Sequence, residues 1–304
     1  MNSSFETIAV LQAQLASILA GKDGVIRQLL ITLLSGGHLL IEDVPGVGKT
    51  TLAHALANSL DSDFGRIQFT ADLLPADIVG VEIFDPAKQQ FDFHPGAVFH
   101  HIVLADEINR ATPKAQSALL EAMAEGQVTI ERETRRLPQP FFVIATQNPN
   151  EHMGTFPLPE SQLDRFFMRI SIGYPDSEAE RKVLLGEAGQ VRLHTLQPVA
   201  NWHDILAARQ SIAELDVSEA LLDYLLKLLE ESRSGEWLKQ GISPRAGHDL
   251  MRAARAEAWL AGQSYVTAAD LQSVWLSCLA HRVLAAGDSV EALAALLESV
   301  PVPA

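Results

Sequence analysis

The chain is poor in cysteine, in basic residues and in long apolar runs, and each shortage excludes a class of protein. A single cysteine, Cys278, leaves no partner for an intramolecular disulfide and is typical of a cytosolic protein. No apolar run approaches the roughly 18 residues that a membrane-spanning helix needs. The first residues include Glu6 and lack a basic start, so they do not resemble a signal peptide. We therefore expect a cytoplasmic protein without a membrane span.

The charge balance is strongly acidic. Lysine and arginine number 23 against 38 aspartates and glutamates, which gives a net charge of −15. Nucleic acid repels such a chain unless its basic residues cluster, and Glu131 and Glu133 interrupt the basic stretch at 131–136. The histidines are scattered, and no Cys/His spacing is typical of zinc. The sequence therefore disfavours nucleic acid as a partner and a zinc site.

A glycine-rich turn joins an apolar run at residues 38–41 to a helical pattern. Within this turn, Gly46 and Gly48 precede Lys49 and Thr50. Such glycines let backbone N–H groups approach phosphate oxygens, the lysine reaches the β- and γ-phosphates, and the threonine hydroxyl binds Mg²⁺. The residues predicted to bind the nucleotide in this segment are Pro45, Gly46, Val47, Gly48, Lys49, Thr50 and Thr51.

The strict phosphate-loop pattern has glycine at position 43, where this chain has Asp43. The segment therefore departs from the pattern at one position. The alternative interpretation is a glycine turn that carries a lysine by chance.

Two later apolar runs end in polar residues and argue against that alternative. Residues 102–105 lead into Asp106 and Glu107, and Asn148 follows the run at 141–145. Open α/β sheets bind ligands at the carboxyl ends of their strands, so we expect these side chains beside the phosphate loop. Asp106 would hold Mg²⁺, Glu107 would orient and polarise the attacking water, and Asn148 would hydrogen-bond the γ-phosphate or that water. Solvated acids and a simple turn are the alternatives.

Strand and helix patterns alternate up to residue 174. With 304 residues, 47% of them apolar, the chain can form one large and one smaller domain. The alternation predicts an α/β domain at 1–174 with a parallel sheet. The predicted strands are 38–42, 67–70, 101–105, 141–146 and 167–172. The predicted helices are 5–19, 24–35, 49–59, 113–124 and 159–165. Two β-hairpins, at about 81–93 and 127–137, interrupt this pattern.

Strand patterns stop after residue 174, so 175–304 are predicted to form an all-helical domain. Its helices are expected at 177–187, 202–213, 218–232, 244–262, 268–284 and 288–299. Ser243 is predicted at the N-cap of a helix and Pro244 at its first position. This places Arg245 in the first helical turn. The helix dipole disfavours a cation there, which marks Arg245 as a candidate site residue. The alternative is a surface arginine paired with a nearby acid.

Five segments together resemble the MoxR-type AAA+ ATPases. They are GHLLIEDVPGVGKTTLA, RIQFTADLLPADIVG, VLADEINRATPKAQSALLEAM, VIATQNPNEHMGTFPLPESQLDRFF and GISPRAGHDLMRAARAEAWL. The resemblance runs from about residue 20 to residue 285. It implies a five-strand AAA+ P-loop core in the spatial order 5-1-4-3-2, a helical lid, and membership of the helix-2-insert clade, to which the hairpin at 81–93 corresponds. In this family, aspartate is a familiar variant of the glycine at position 43.

The resemblance also implies roles for single residues, by position in the motifs. Lys49 and Thr50 match the Walker A pair, Asp106 and Glu107 match the Walker B pair, and Asn148 matches sensor 1. Thr50 and Asp106 would then hold the Mg²⁺ of the bound nucleotide.

Two arginines complete the implied catalytic set. Arg165 matches the arginine finger that enters the site of a neighbouring subunit, and Arg245 matches sensor 2. Arg110 and Arg169 are alternative fingers that rank below Arg165.

The function implied by the resemblance is ATP hydrolysis with Mg²⁺ in a homo-oligomeric ring, most often a hexamer. The output would be chaperone-like, by remodelling a partner protein or helping it to load a cofactor. A nucleic-acid-dependent motor and the ATPase subunit of a metal chelatase remain alternatives. MoxR-type ATPases typically pair with von Willebrand factor A domain proteins. This chain lacks the Asp-x-Ser-x-Ser signature of that domain, so we expect a separately encoded partner that docks on the two hairpins.

Overall fold

The structure is a computed structural model that describes residues 3–131, 133–149, 154–175, 177, 180–181, 193 and 195–302. The strands are β1 (Leu39–Glu42), β2 (Phe64–Gln68), β3 (Gly80–Asp85), β4 (Gln90–Pro95), β5 (Ile102–Asp106), β6 (Gln127–Ile130), β7 (Glu133–Arg136), β8 (Phe142–Gln147), β9 (Met168–Ile170), β10 (Leu238–Gln240) and β11 (Leu284–Ala285). The helices are α1 (Ser3–Ile18), α2 (Asp23–Leu34), α3 (Lys49–Ser59), α4 (Pro75–Val79), α5 (Pro113–Glu125), α6 (Glu160–Leu163), α7 (Trp202–Ala213), α8 (Glu219–Ser232), α9 (Pro244–Leu260), α10 (Ala268–Leu279) and α11 (Ser289–Ser299).

Five strands form one parallel sheet in the order β2-β5-β8-β1-β9. Numbered by themselves along the chain, these strands have the order 5-1-4-3-2, so the predicted topology is confirmed. The strand predicted at 67–70 lies earlier, at Phe64–Gln68, because it runs along the edge of the sheet, where Gly65 and Arg66 interrupt the apolar pattern. All five carboxyl ends meet at one edge, which is where open parallel sheets bind ligands.

The sheet separates two hydrophobic cores. Successive side chains of a strand point to opposite faces. In β1, Leu39 and Ile41 lie in the core that contains Leu29 of α2, whereas Leu40 lies in the core that contains Leu119 of α5. All five side chains are fully buried. Helices therefore cover both faces of the sheet, as the alternating pattern predicts.

The C-terminal helices α7 to α11 form the lid, and they share a core with the sheet domain. Leu250 of α9 and Trp275 of α10 are fully buried and belong to the same cluster as Leu29 of α2. Ser243 caps α9 by accepting a hydrogen bond from the backbone of Ala246. The lid is therefore packed directly against the helices that cover one face of the sheet.

Two features of the lid differ from the sequence prediction. The helix expected over 268–284 ends at Leu279, and the short strands β10 and β11 then pair antiparallel. Strands of two and three residues are too short to show a period of two in the sequence, so the all-helical prediction omitted them. The helix expected at 177–187 falls largely outside the described residues.

The two predicted hairpins are present, and they touch each other. Strand β3 pairs with β4, and β6 pairs with β7, both antiparallel. From the second hairpin, Arg135 forms an ion pair of 3.0 Å with Glu82 of the first. Its guanidinium also lies 4.1 Å from the ring centre of Phe93. The hairpins therefore form one continuous surface.

Of the helices in the described ranges, none combines the length and the apolar character that crossing a membrane would require.

Candidate active site

The glycine-rich turn connects β1 to α3 with two left-handed glycines. Gly46 has φ of 86° and Gly48 has φ of 100°, a region that side-chain-bearing residues rarely adopt. Helix α3 begins at Lys49, so its first backbone N–H groups and the positive end of its dipole face the turn. The Nζ of Lys49 donates to the backbone oxygen of Asp43 at 2.6 Å. This is the local geometry of a phosphate-binding loop.

Asp43, the departure from the strict motif, anchors that loop. It is only 7% exposed, and its Oδ2 accepts hydrogen bonds from Ser171 Oγ at 3.0 Å, Ile172 N at 2.6 Å and Gly173 N at 2.7 Å. Burial by itself raises the pKa of Asp43, but the hydrogen bonds from Gly173, Ser171 and their neighbours outweigh it and hold the pKa below its ordinary value. The carboxylate thus ties the phosphate loop to the chain after β9.

Thr146, at the end of β8, organises the two acids at the end of β5. Its Oγ1 donates to Asp106 Oδ1 at 2.7 Å and accepts from the backbone N of Glu107 at 2.9 Å. Glu107 has φ of 57°, so the chain turns sharply where the strand ends. Thr146 is absent from the predicted site residues, because its position opposite Asp106 depends on the register of β8 against β5.

The edge strand β2 supplies two further partners to these acids. Arg66 forms an ion pair of 2.6 Å with Asp106 Oδ2, and Gln68 donates to Glu107 Oε2 at 2.7 Å. Arg110 also reaches Glu107 Oε2, at 3.1 Å. Arg66 and Gln68 lie two positions apart and so share one face of the strand. This spacing was the only signal for them in the sequence, and it was missed.

The phosphate loop and the acids line one cavity of about 280 Å³. The lining residues are Pro45, Gly46, Gly48, Lys49, Thr50, Thr51, Asp106, Glu107 and Asn148. Asn148 is 6% exposed. The structure therefore brings together Asp106, Glu107, Asn148 and the predicted loop residues. Val47 is the one predicted loop residue that does not line the cavity. Cationic and N–H groups on one wall and carboxylates on another fit a phosphate chain with a hard cation such as Mg²⁺.

The predicted arginines lie elsewhere. Neither Arg165 nor Arg245 lines this cavity. Arg165 donates to the backbone oxygen of Leu120 at 3.0 Å. Arg245 is 58% exposed and lies 3.8 Å from Asp164. Arg245 therefore approaches the residue that directly precedes Arg165 in the chain.

The two alternative fingers are each paired with an acid. Arg169 forms an ion pair of 2.9 Å with Glu42 at the end of β1. Arg110 contacts Glu107, which lines the cavity of its own chain. Both alternatives therefore stay bound to acids of their own sheet edge.

Comparison with known proteins agrees with this architecture. Residues 38–168 match the model of the ATPase family associated with various cellular activities (AAA), and residues 230–298 match the AAA lid domain. The chain is 40% identical to the chaperone MoxR1 of Mycobacterium tuberculosis over 282 residues, which is 90% of this chain and 74% of that protein. This chain belongs to the MoxR-type AAA+ ATPases.

Other relatives support the assignment to this family. It is 43% identical to the uncharacterized protein YeaC of Bacillus subtilis, over 88% of this chain and 83% of that protein. A crystal structure of a protein from Cytophaga hutchinsonii superposes with a TM-score of 0.90 at 36% identity, covering 99% of this chain and 96% of that one. Magnesium-chelatase subunits are more distant, at 29% identity for the 38 kDa subunit of Acidiphilium rubrum. As a member of this family, the protein hydrolyses ATP.

Proposed function

We propose that this MoxR-type ATPase binds Mg²⁺–ATP in the 280 Å³ cavity, at a boundary between copies in a six-membered ring. Hydrolysis there drives the remodelling or maturation of a partner protein. One observation carries the proposal: the cation of Lys49, two carboxylates and the Asn148 amide converge on one cavity, although they come from three separate strand ends.

Each group has a role that its chemistry supports. Lys49 neutralises the β- and γ-phosphates, and Thr50 and Asp106 hold Mg²⁺. Glu107 polarises the attacking water, and Asn148 donates to the γ-phosphate or orients that water. Such catalysis consists of positioning and charge stabilisation rather than covalent chemistry. Asp106, whose Oδ2 pairs with Arg66 in the structure, would supply a carboxylate ligand to the Mg²⁺ ion.

Arg165 and Arg245 act on the cavity of a neighbouring copy in this proposal. The support is their location, because both lie beside Asp164 and outside the cavity lining of their own chain. A cation supplied across a subunit boundary contributes roughly 10³–10⁵ in rate in comparable phosphoryl-transfer systems. The ring is therefore a condition of activity rather than a packing arrangement.

Mixing two variants tests the subunit boundary. The Arg165→Ala subunit retains a complete ATP site but lacks the arginine finger. The Lys49→Ala subunit has an inactive ATP site but retains the finger. We expect each variant to be inactive alone and the mixture to recover ATP hydrolysis, with mixed assembly verified by native mass spectrometry. Mixed rings without recovery would mean that Arg165 acts within its own chain or is structural.

The partner-binding surface in this proposal is the pair of hairpins, and the partner is a von Willebrand factor A domain protein in the cytoplasm. The first hairpin exposes four large apolar side chains, with exposed fractions of 43% for Val81, 50% for Ile83, 49% for Phe84 and 65% for Phe91. Exposed apolar patches of this kind mark interaction surfaces. The chaperone name of MoxR1 supports the remodelling role.

Binding of candidate partners tests this surface. We expect affinity to differ between ATP, ADP and no nucleotide, and to fall when Phe84 and Phe91 are both replaced by serine. Leu226→Ser is a matched control, because this leucine is 56% exposed but lies on α8 of the lid. Equal affinity in all three nucleotide states, unchanged by the double replacement, would exclude the hairpins as the docking surface.

A further inference from the structure

An arginine of the lid is buried against the segment that carries Arg165. The side chain of Arg282 is only 2% exposed and forms an ion pair of 2.9 Å with Asp249 of α9. Its other terminal nitrogen donates to the backbone oxygen of Phe166 at 2.7 Å and to that of Phe167 at 3.3 Å. It also lies 3.7 Å from Asp164. Arg282 therefore holds residues on both sides of Arg165.

His281 strengthens the same contact. It is 4% exposed, and its Nε2 lies 2.8 Å from the backbone oxygen of Phe166. A carbonyl only accepts, so this contact requires the proton on Nε2, and the Nε of Arg282, 3.3 Å away, then faces a donor and makes no hydrogen bond to it. Burial and the neighbouring charge of Arg282 lower the pKa of His281 to about 3. The imidazole is therefore neutral at physiological pH, and the carbonyl of Phe166 accepts from both lid residues.

The segment around Arg165 lies between the lid and the sheet. On the sheet side, the backbone N of Phe167 donates to the oxygen of His38 at 2.8 Å, and Arg165 itself donates to the oxygen of Leu120. On the lid side, the contacts go to the flanking residues Asp164, Phe166 and Phe167. The backbone on both sides of Arg165 is therefore bonded to the lid as well as to the sheet domain.

Helix α9 brings the second candidate arginine into the same network. Arg245 and Asp249 lie one turn apart on this helix, so they share a face. Arg245 lies 3.8 Å from Asp164, and Asp249 holds Arg282. Asp164 is thus approached by two cations of the lid, one exposed and one buried.

We propose that Arg282 is a positioning residue through which the lid sets the placement of Arg165. A lid movement in one subunit thereby controls the arginine that this subunit presents to its neighbour. The inference rests on the proposed action of Arg165 across the subunit boundary. Lysine cannot replace Arg282, because a single ammonium cannot reproduce the planar fork that holds an acid and two carbonyls together.

Mixed rings isolate this role from any effect on the subunit's own cavity. The finger is supplied by a Lys49→Ala subunit, whose own site is inactive, and hydrolysis is measured at the intact sites of Arg165→Ala subunits. We expect Arg282→Lys in the finger-supplying subunit to lower the recovered rate about 10- to 100-fold, since displacement of a reacting group by about 1 Å has an effect of this size. The KM for ATP should stay unchanged, because the intact sites are not altered.

Arg209→Lys in the same Lys49→Ala background is the matched control. Arg209 is a partly buried lid arginine whose Nε and terminal nitrogen both donate to the oxygen of Leu33, at 3.2 and 2.7 Å. We expect the mixture of this control with Arg165→Ala to recover ATP hydrolysis to the same rate as the mixture of Lys49→Ala with Arg165→Ala. Rates are compared between mixtures that contain the same amount of mixed rings, as measured by native mass spectrometry.

The outcomes separate the two proposals. If Arg165→Ala and Lys49→Ala do not complement each other, the boundary role of Arg165 is wrong. If they complement and Arg282→Lys has no effect, the positioning role of Arg282 is wrong. If Arg282→Lys does not assemble, Asp164→Ala tests the same connection, since the side chain of Asp164 is 30% exposed and lies 3.7 Å from Arg282. Full recovery with that variant would overturn the inference.

Discussion

Replacing Asp43 by glycine restores the strict phosphate-loop motif, yet we expect it to destabilise the protein. The carboxylate accepts four hydrogen bonds, from Ser171 Oγ and from the backbone N–H groups of Val44, Ile172 and Gly173, at 2.6 to 3.0 Å. Hydrogen bonds to a charged group contribute about 1.5–3 kcal/mol each, but bonds that share one carboxylate are not additive. Because buried donors also lose their acceptor, we expect a loss of about 3–5 kcal/mol.

A series of variants separates the contributions of single hydrogen bonds and of the charge to this loss of stability. Ser171→Ala removes one donor and should cost about 1 kcal/mol. Asp43→Asn keeps the size of the side chain but loses the charge, so its cost should lie between those of Ser171→Ala and Asp43→Gly. Asp61→Gly is the control, because Asp61 is exposed and has φ of 47°, a conformation that glycine accepts without strain. Urea unfolding followed by circular dichroism measures each difference in the free energy of unfolding.

The contribution of Asp43 should also depend on pH with a definite sign. Its pKa is lower in the folded protein than the ordinary aspartate value. A carboxylate of this kind stabilises the fold above its unfolded pKa, and the stabilisation is lost as the pH falls through the folded pKa. The difference between the natural protein and Asp43→Asn should therefore be constant from about pH 5 to 7 and shrink below about pH 4.

The anchoring role of Asp43 can be refuted by one result. If Asp43→Gly unfolds at the same urea concentration as the natural protein and binds ATP equally well, the carboxylate is not an anchor. The position would then be a neutral variation of the motif, as the sequence pattern alone suggests.

Three further substitutions test the cavity. Lys49→Ala should abolish ATP binding in calorimetry while the circular dichroism spectrum is retained, since the substitution removes the cation on the phosphate side of the cavity; near-normal affinity would mean that the phosphate loop is misassigned. Glu107→Gln should bind ATP and hydrolyse it more slowly by about 10²-fold or more, the range for loss of a general acid–base residue; an unchanged turnover number would assign the activation of the water to another group. Thr146→Val should lower kcat with little change in ATP affinity, because it frees Asp106 and Glu107 from their shared hydroxyl, and an unaltered kcat would show that these acids are placed without it.

Much of the fold and part of the site follow from local patterns. The phosphate loop was found from the spacing of Gly46, Gly48 and Lys49, which is short and contiguous. Asp106 and Asn148 were found from a general rule, since parallel strands deliver their carboxyl ends to one edge. The sheet order, by contrast, came only from the resemblance to a family, because no local pattern specifies which parallel strands are neighbours.

The missed residues have a common physical reason. Arg66 contacts Asp106, and Thr146 contacts both acids, across 39 or 40 positions of sequence. Such contacts depend on strand register, which no motif encodes. Asp43 was noticed only as a departure from a pattern, because its partners, Ser171 to Gly173, lie 128 to 130 positions away.

Strand β9 connects the two halves of the proposed mechanism. Three residues before it lies Arg165, whose flanking residues are held by the lid. Just after it, the backbone N–H groups of Ile172 and Gly173 donate to the carboxylate of Asp43 at the entry to the phosphate loop. Between them, β9 pairs in register with β1, the strand that leads into that loop. A lid movement that displaces β9 must therefore act on the arginine offered to the neighbouring copy and on the loop that holds the chain's own phosphates. Short motifs located both groups, but only the pairing of β9 with β1 relates them mechanically.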